Sequence, residues 1–323
     1  MALPRDASRD DPDALLPALL RRERRALARL LSLSESAPAR YGAVADAVTA
    51  RAGRGRRIGV TGPGGAGKST LIDALVRELR AAGETVAVLA TDPTSEKTGG
   101  ALLGDRIRYA PGVADDGVFF RSVATRGAAG GFAHAGFDQL DLLDAYGFDW
   151  LLVEAVGAGQ SEIEIAWAVD LTVVALPPAG GDAVQALKAG LMEAGDCFLV
   201  TKGDLPGAEA AAVTLRGAIE LRHATNGTAL EQLPPVEVVS ASSGKGLAEA
   251  LATLRRLSDR QRGDGSLAGR QRERLARRVR HLVLRELEGP LAAAAAEAAA
   301  HGGAPQTLAR DVMRRLERGG ALH

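Results

Sequence analysis

Cysteine is almost missing. The 323 residues contain one, Cys197, which leaves no partner for an intramolecular disulfide and no thiolate set for a metal. A disulfide-stapled secreted fold is excluded, and a reducing, cytoplasmic setting is expected. Aromatic residues are 3% of the chain, too few to supply the stacking platforms of a single-strand nucleic-acid binder. Neither sign of charge dominates, with 40 basic and 40 acidic residues, so no global field draws the chain to nucleic acid or acidic lipid. Long apolar runs are lacking too. The best candidate, Leu291 to Ala300, is alanine-rich and interrupted by Glu297, well short of the roughly 18–20 residues of a membrane span. Residues 1–20 carry early acids and no long apolar core, and do not read as a signal peptide. What remains is the ordinary mix of a soluble globular protein, 46% hydrophobic and 25% charged.

Lysine is scarce as well: Lys68, Lys97, Lys188, Lys202 and Lys245 are the only ones. The bland reading of that preference for arginine is codon bias. Lys68 and Lys202 stand inside motifs that need a compact point charge on a flexible stem.

Three parts follow from the pattern: a helical extension over 1–55, an α/β domain over 56–262 and a helical arm over 263–323. In the first, Leu15, Leu16, Leu19 and Leu20 and then Leu27, Leu30 and Leu31 return to one helical face. One helix is expected there, ended by a serine-rich break (Ser32, Ser34, Ser36, Pro38), with a second over 41–49. The run from Arg21 to Arg25 reads as a solvated helix face.

In the middle part, short apolar runs alternate with amphipathic stretches. Strands are expected at 57–61, 85–91, 118–123, 150–156, 171–176, 197–201 and 236–240. Helices are expected at 68–81, 136–145, 182–194, 208–221 and 246–257. Such alternation implies a mostly parallel sheet covered on both faces, with its loops gathered at one edge. The tail is helical over 272–287, breaks at Gly289–Pro290, passes through an alanine run, breaks again at 301–303 and ends in a helix over 307–318. It is too small for its own core and should pack on the preceding domain or on a second copy.

Gly62-Pro-Gly64-Gly65-Ala66-Gly67-Lys68-Ser69-Thr70 fits G-x-x-x-x-G-K-[ST] between a strand and a helix. That context lets successive backbone N–H groups and a helix N-terminus converge on phosphates. Lys68 would neutralise the β- and γ-phosphates and the Ser69 hydroxyl would ligate Mg²⁺. Thr201-Lys202-Gly203-Asp204, after a late strand, resembles the N/T-K-x-D motif of P-loop GTPases. A carboxylate there accepts from guanine N1–H and the exocyclic amine, two bonds of roughly 1.5–3 kcal/mol each that adenine cannot offer. Ser240-Ala241-Ser242 resembles the loop whose backbone N–H meets guanine O6. Taken alone, TKGD is also compatible with a surface turn. Asp92, Asp105 and Glu154, at or near strand ends beside the phosphate loop, are candidate Mg²⁺ ligands, since that ion takes one or two carboxylates with phosphate oxygens and water. Gly157 and Gly159 would let the loop after Glu154 move.

The strings VTGPGGAGKSTLIDAL, TDPTSEKTGGALLGDRIR, VEAVGAGQSE and TKGD, in this order, resemble the MeaB/ArgK family. Those are P-loop GTPases that escort adenosylcobalamin-dependent acyl-CoA mutases. The resemblance implies a P-loop NTPase fold with a doubly wound, mostly parallel sheet, an N-terminal helical extension and a C-terminal dimerisation arm. It implies GTP/GDP as ligand, Mg²⁺ as cofactor, the mutase as partner and a homodimer. It makes the loop glycines, Lys68 and Ser69 phosphate ligands and Asp92, Asp105 and Glu154 the surroundings of Mg²⁺. By the same resemblance Gln185 and Lys188 lie in a mobile segment, and Lys188 is a candidate for stabilising transition-state charge; on the residues alone it is also an ordinary helix-surface lysine. Ala155 and Ala158 replace the family's Thr and Val, TKGD replaces its N-K-A-D, and 176–185 is altered and one residue longer. Arg121-Ser-Val-Ala-Thr-Arg-Gly lacks the common R-P-S-P-S-G-G pattern. A metallochaperone GTPase shares the general fold but usually collects Cys or His, whereas the five histidines here are scattered. A small-molecule kinase would prefer adenine, against TKGD. An adaptor with a dead site is opposed by intact Lys68, Ser69, Asp92 and Glu154.

Overall fold

The computed structural model describes residues 11–92, 115–124, 131–155, 165–178, 191–224, 233–302 and 304–318. Seven strands form one sheet: β1 (Arg56–Thr61), β2 (Val86–Asp92), β3 (Val118–Ala124), β4 (Trp150–Glu154), β5 (Leu171–Leu176), β6 (Cys197–Val200) and β7 (Val236–Val238). Their order is β3-β2-β4-β1-β5-β6-β7 and every pairing is parallel. Strands buried on both faces read as continuous apolar runs, and β4, β5 and β6 are buried at every position. The seven expected strands are all present, with ends shifted by at most two residues.

Ten helices are described. The extension holds α1 (Pro12–Leu20), α2 (Arg24–Ser36) and α3 (Pro38–Thr49); the sheet is flanked by α4 (Lys68–Ala81), α5 (Gly131–Tyr146), α6 (Leu191–Ala194), α7 (Ala208–Ala224) and α8 (Leu247–Gly263). The remaining two are α9 (Ser266–Ala300) and α10 (Pro305–Arg318). α4 and α8 cover one face through Ile72, Leu75, Leu79, Leu251 and Leu254 packed on Ile58, Val60, Val88 and Leu152. On the other face, Leu140 and Leu143 of α5 and the extension's Leu19, Leu27 and Leu30 join Ala87, Leu89 and Val153, while α7 packs on β5 and β6 through Ala212, Leu215, Val174 and Phe198. The extension therefore belongs to the same core as the sheet.

Two expectations about helices are corrected and a third is refined. The single N-terminal helix is two, because Arg22 takes φ +62° and the amides of Arg22 and Glu23 turn back to the carbonyls of Leu19 and Ala18, an αL helix end usually given to glycine. The Arg22 carbonyl accepts from the Tyr146 hydroxyl at 2.7 Å, a tertiary bond that compensates the conformation. The helix does end within the serine-rich stretch, but only at Ala37 before Pro38; Ser32 and Ser36 donate to the carbonyls of Ala28 and Ser32 one turn back, which keeps the serines themselves helical. Nor does Gly289–Pro290 interrupt the tail: α9 runs 35 residues with Pro290 inside it. Proline forfeits one amide donor and strains one turn, and the leucine, glutamate and alanine turns on either side, all good helix formers, carry the helix across. The basic run is partly tied down too, since Arg24 donates to the carbonyls of Asp116 and Val118.

The chain divides into two compact units, Met1–Arg270 and Gln271–His323. In the second, Ala298 at the end of α9 and Val312 of α10 are buried together. No helix of the described residues is long and apolar enough to cross a membrane.

Candidate nucleotide site

The C-terminal ends of β1, β4, β5, β6 and β7 lie along one edge of the sheet, and the sequence motifs follow them. After β1 the chain turns at Gly62, whose φ is +138° and whose missing side chain leaves room for the Ala175 carbonyl: a Cβ would lie 2.0 Å from that oxygen. Gly65 and Gly67 also have positive φ, and Gly67 is the N-cap of α4. The loop thus ends on the first turn of a 14-residue helix, where unsatisfied amides and the helix dipole favour an anion. Lys68 opens α4, is buried, and donates from Nζ to the Gly62 and Pro63 carbonyls at 2.7 and 3.1 Å. Its ammonium is held over the loop.

The next residue, Ser69, meets the end of β4. Its hydroxyl lies 2.5 Å from Oε1 of the buried Glu154, and the Glu154 carbonyl accepts from Thr91 Oγ1 at 2.9 Å. A hydroxyl and a carboxylate oxygen side by side at the phosphate loop form a hard-oxygen donor pair of the kind that Mg²⁺ takes, so these residues fit the ion that the sequence implies. Asp92 is the last residue of β2 and only its backbone is described. Asp105 and Lys188, like Gln185, Gly157 and Gly159, lie outside the described residues.

The base-recognition strings converge as well. A cavity of about 260 Å³ is lined by Ala66, Gly67, Thr70 and Leu71 from the phosphate loop and α4, and by Thr201, Lys202, Asp204, Leu205, Val239, Ala241 and Ser242. Three separate segments, after β1, β6 and β7, build one pocket. The turn after β6 is fixed on both sides: the Thr201 amide donates to the Leu176 carbonyl and the Gly203 amide to that of Val239, each at 2.8 Å. Lys202 sits at φ +53°, a strained value for a residue with a side chain that the neighbouring bonds impose. Asp204 Oδ1 accepts from Ser240 Oγ at 2.6 Å and from Ser242 Oγ at 3.4 Å. The Ser240 hydroxyl, ahead of the other contacts, holds the Asp204 carboxyl below the usual aspartate range, so the side chain stays an acceptor-only anion at neutral pH.

Two contacts of the turn after β6 were not anticipated from the sequence. Thr201 Oγ1 reaches across to the Ala66 carbonyl at 2.7 Å, and Gly203 is required because a Cβ would lie 2.7 Å from Val238 Cγ1 and 3.1 Å from the Val239 carbonyl.

The model of the family described as methylmalonyl Co-A mutase-associated GTPase MeaB matches residues 27–296. The chain belongs to the MeaB family. A Pyrococcus horikoshii protein that carries the name of a GTPase is 40% identical over 84% of this chain and 85% of its own. The mouse methylmalonic aciduria type A homolog, a mitochondrial protein, is 33% identical over 80% of this chain and 66% of its own. GTPase ArgK of Escherichia coli is 40% identical over 56% of each chain. Among solved structures, a LAO/AO transport system kinase superposes with TM-score 0.68 over 98% of this chain and all of its own, at 23% identity, a likeness of fold. This MeaB-family chain is therefore a P-loop α/β protein from a family of GTPases. Its one cysteine is a buried strand residue: burial first, then the charges of Glu237 and Asp196, pushes the Cys197 thiol up to about 12, which leaves it inert.

Proposed function

We propose that this protein binds and hydrolyses GTP with Mg²⁺ and uses the cycle to escort an adenosylcobalamin-dependent acyl-CoA mutase in the cytoplasm, gating cofactor loading and protecting or reactivating the enzyme. The observation that carries the guanine part is the pocket in which Asp204, braced by Ser240, faces the phosphate loop. The mutase part is supported by the family description and by the name of the mouse relative.

In this reading Gly62, Gly64, Gly65, Ala66, Gly67, Lys68, Ser69 and Thr70 cradle the phosphates; Lys202, Asp204, Ser240 and Ala241 hold the base. Ser69 and Glu154, with Asp92 and Asp105, surround the metal. Bound Mg²⁺ would supply charge neutralisation between the phosphates. Lys68, now on the Gly62 and Pro63 carbonyls, would serve phosphate oxygens, and the Ser69 hydroxyl and Glu154 carboxylate would hold the ion. Catalysis is then positioning and charge stabilisation of an in-line attack by water, to which Lys188 contributes. No described residue is placed as a strong general base at the phosphate loop, so slow intrinsic turnover accelerated by the mutase is expected. Equal rates with and without a cognate mutase would contradict the escort role. Asp204→Asn, which exchanges an acceptor for a donor, should move preference from GTP toward xanthosine triphosphate by about ten-fold or more. A variant that kept its guanine preference would rule out the assigned base contact.

A further inference from the structure

We infer that Thr91 is a positioning residue for the metal. From the opposite face of the sheet its hydroxyl fixes the Glu154 peptide, which aims the Glu154 carboxylate at Ser69, the ion's other ligand, and makes nucleotide affinity depend on magnesium. This rests on the metal reading above and adds to it what holds the ligand in place.

Thr91 is fully buried, one residue before the end of β2. Glu154 closes β4. In the parallel ladder Glu154 stands level with Ala90 of β2 on one side and with Val60 of β1 on the other. The peptide that follows it is held from both strands. Thr91 Oγ1 donates to the Glu154 carbonyl at 2.9 Å, and the Ala155 amide donates to the Val60 carbonyl at 3.0 Å. A peptide unit is planar, so bonds at its two ends toward opposite neighbours fix its tilt. That tilt sets a backbone dihedral of Glu154, on which its side-chain rotamer depends. The carboxylate so directed lies against the Ser69 hydroxyl.

Successive strand residues point to opposite faces. Val88 and Leu152 pack with α4, whereas Leu89 and Val153 pack with the extension. Alternation therefore places Glu154 on the α4 face, beside the phosphate loop, and Thr91 on the extension face. With the sheet between them, Thr91 touches neither nucleotide nor ion, and it acts through the Glu154 peptide. Partners that orient a metal ligand without binding the metal contribute about ten- to hundred-fold to metal affinity.

The test is equilibrium titration of the full chain with a non-hydrolysable GTP analogue, in magnesium and in EDTA. In the wild type magnesium should tighten binding by about ten-fold or more, and Glu154→Gln should remove most of that gain. Thr91→Val keeps the shape and removes the proton. It should weaken binding about ten-fold in magnesium and stay within about two-fold of the wild type in EDTA. Thr91→Ser, which keeps the proton, should retain the wild-type ratio. Adding Thr91→Val to Glu154→Gln should cost nothing more, because the two changes act through one group. A Thr91→Val protein with the wild-type ratio would overturn the inference, and so would equal losses in magnesium and EDTA. A double variant whose losses add would send the effect through the neighbouring Asp92 and overturn it as well. So would a Thr91→Ser protein that has lost the ratio, whether or not the valine variant folds. A wild type that binds equally in magnesium and EDTA would defeat the metal reading, and this inference with it, whereas the Thr91 variants bear on the inference alone.

Discussion

At Gly62 the phosphate loop depends on a hydrogen atom. The combination of φ +138° and a carbonyl oxygen where the Cβ would go leaves no conformation for an L side chain without moving β5. Gly62→Ala should cost about 2–4 kcal/mol through strain and overpacking, seen as a lower denaturant midpoint, with nucleotide affinity reduced in the surviving folded fraction. The neighbouring glycines behave differently: Gly64 and Gly65 have open space around the place of a Cβ, so only backbone conformation restricts Gly65. The motif string treats these glycines alike; the packing does not. Thr201 and Gly203 make the same point at the other loop. Their departure from the common N-K-A-D string was visible in the sequence, but that the hydroxyl bridges to Ala66 and that Val238 and Val239 exclude a methyl at Gly203 became legible only with the three loops assembled.

At the scale of elements, the join between extension and sheet is electrostatic as well as apolar. Arg57, the second residue of β1, is buried and donates to Asp141 and Asp144 of α5 at 2.8–3.2 Å, while its amide donates to Asp170. Asp144 also accepts from the amides of Gly53, Arg54 and Gly55 in the linker after α3, and Asp141 from Thr49 Oγ1. Burial opposes the charge on Arg57, yet the carboxylates Asp141, Asp144 and Asp170 raise its pKa above the ordinary value, so it remains a cation. Asp144→Ala would leave a buried guanidinium and three amides short of their acceptor, which should cost about 3–5 kcal/mol in urea unfolding. A loss under about 1 kcal/mol would mean that water replaces the carboxylate. Periodicity predicted α5 and placed Asp141 and Asp144 on it, but nothing in their spacing marked them as partners of an arginine 84 and 87 positions earlier. The split between α1 and α2 and the uninterrupted α9 were hidden for the same reason, because local propensity does not register a bond to Tyr146 or the helix-forming strength on both sides of Pro290.

For the whole molecule, the two compact units differ in how well they cover themselves. In the second, Leu275, Val279, Leu282, Val283 and Leu284 of α9 and Met313 of α10 are exposed, an apolar surface that a 53-residue unit with a small core leaves uncovered. We propose that it pairs with a second copy of the chain. Truncation after Arg270 should convert a dimer into a monomer by light scattering while GTP affinity in the first unit stays within about two-fold; an unchanged mass would refute the pairing. The parallel sheet, the gathering of its loops along one edge and the phosphate cradle could all be read from the residue pattern alone, because apolar period, glycine placement and strand–helix alternation are local signals that survive without contacts. Only tertiary structure decided which glycine is indispensable, which carboxylates neutralise Arg57 and where the proton of Thr201 goes. Those answers depend on atoms brought within 3 Å from tens to more than a hundred residues away, and such meetings leave no periodic trace in the chain.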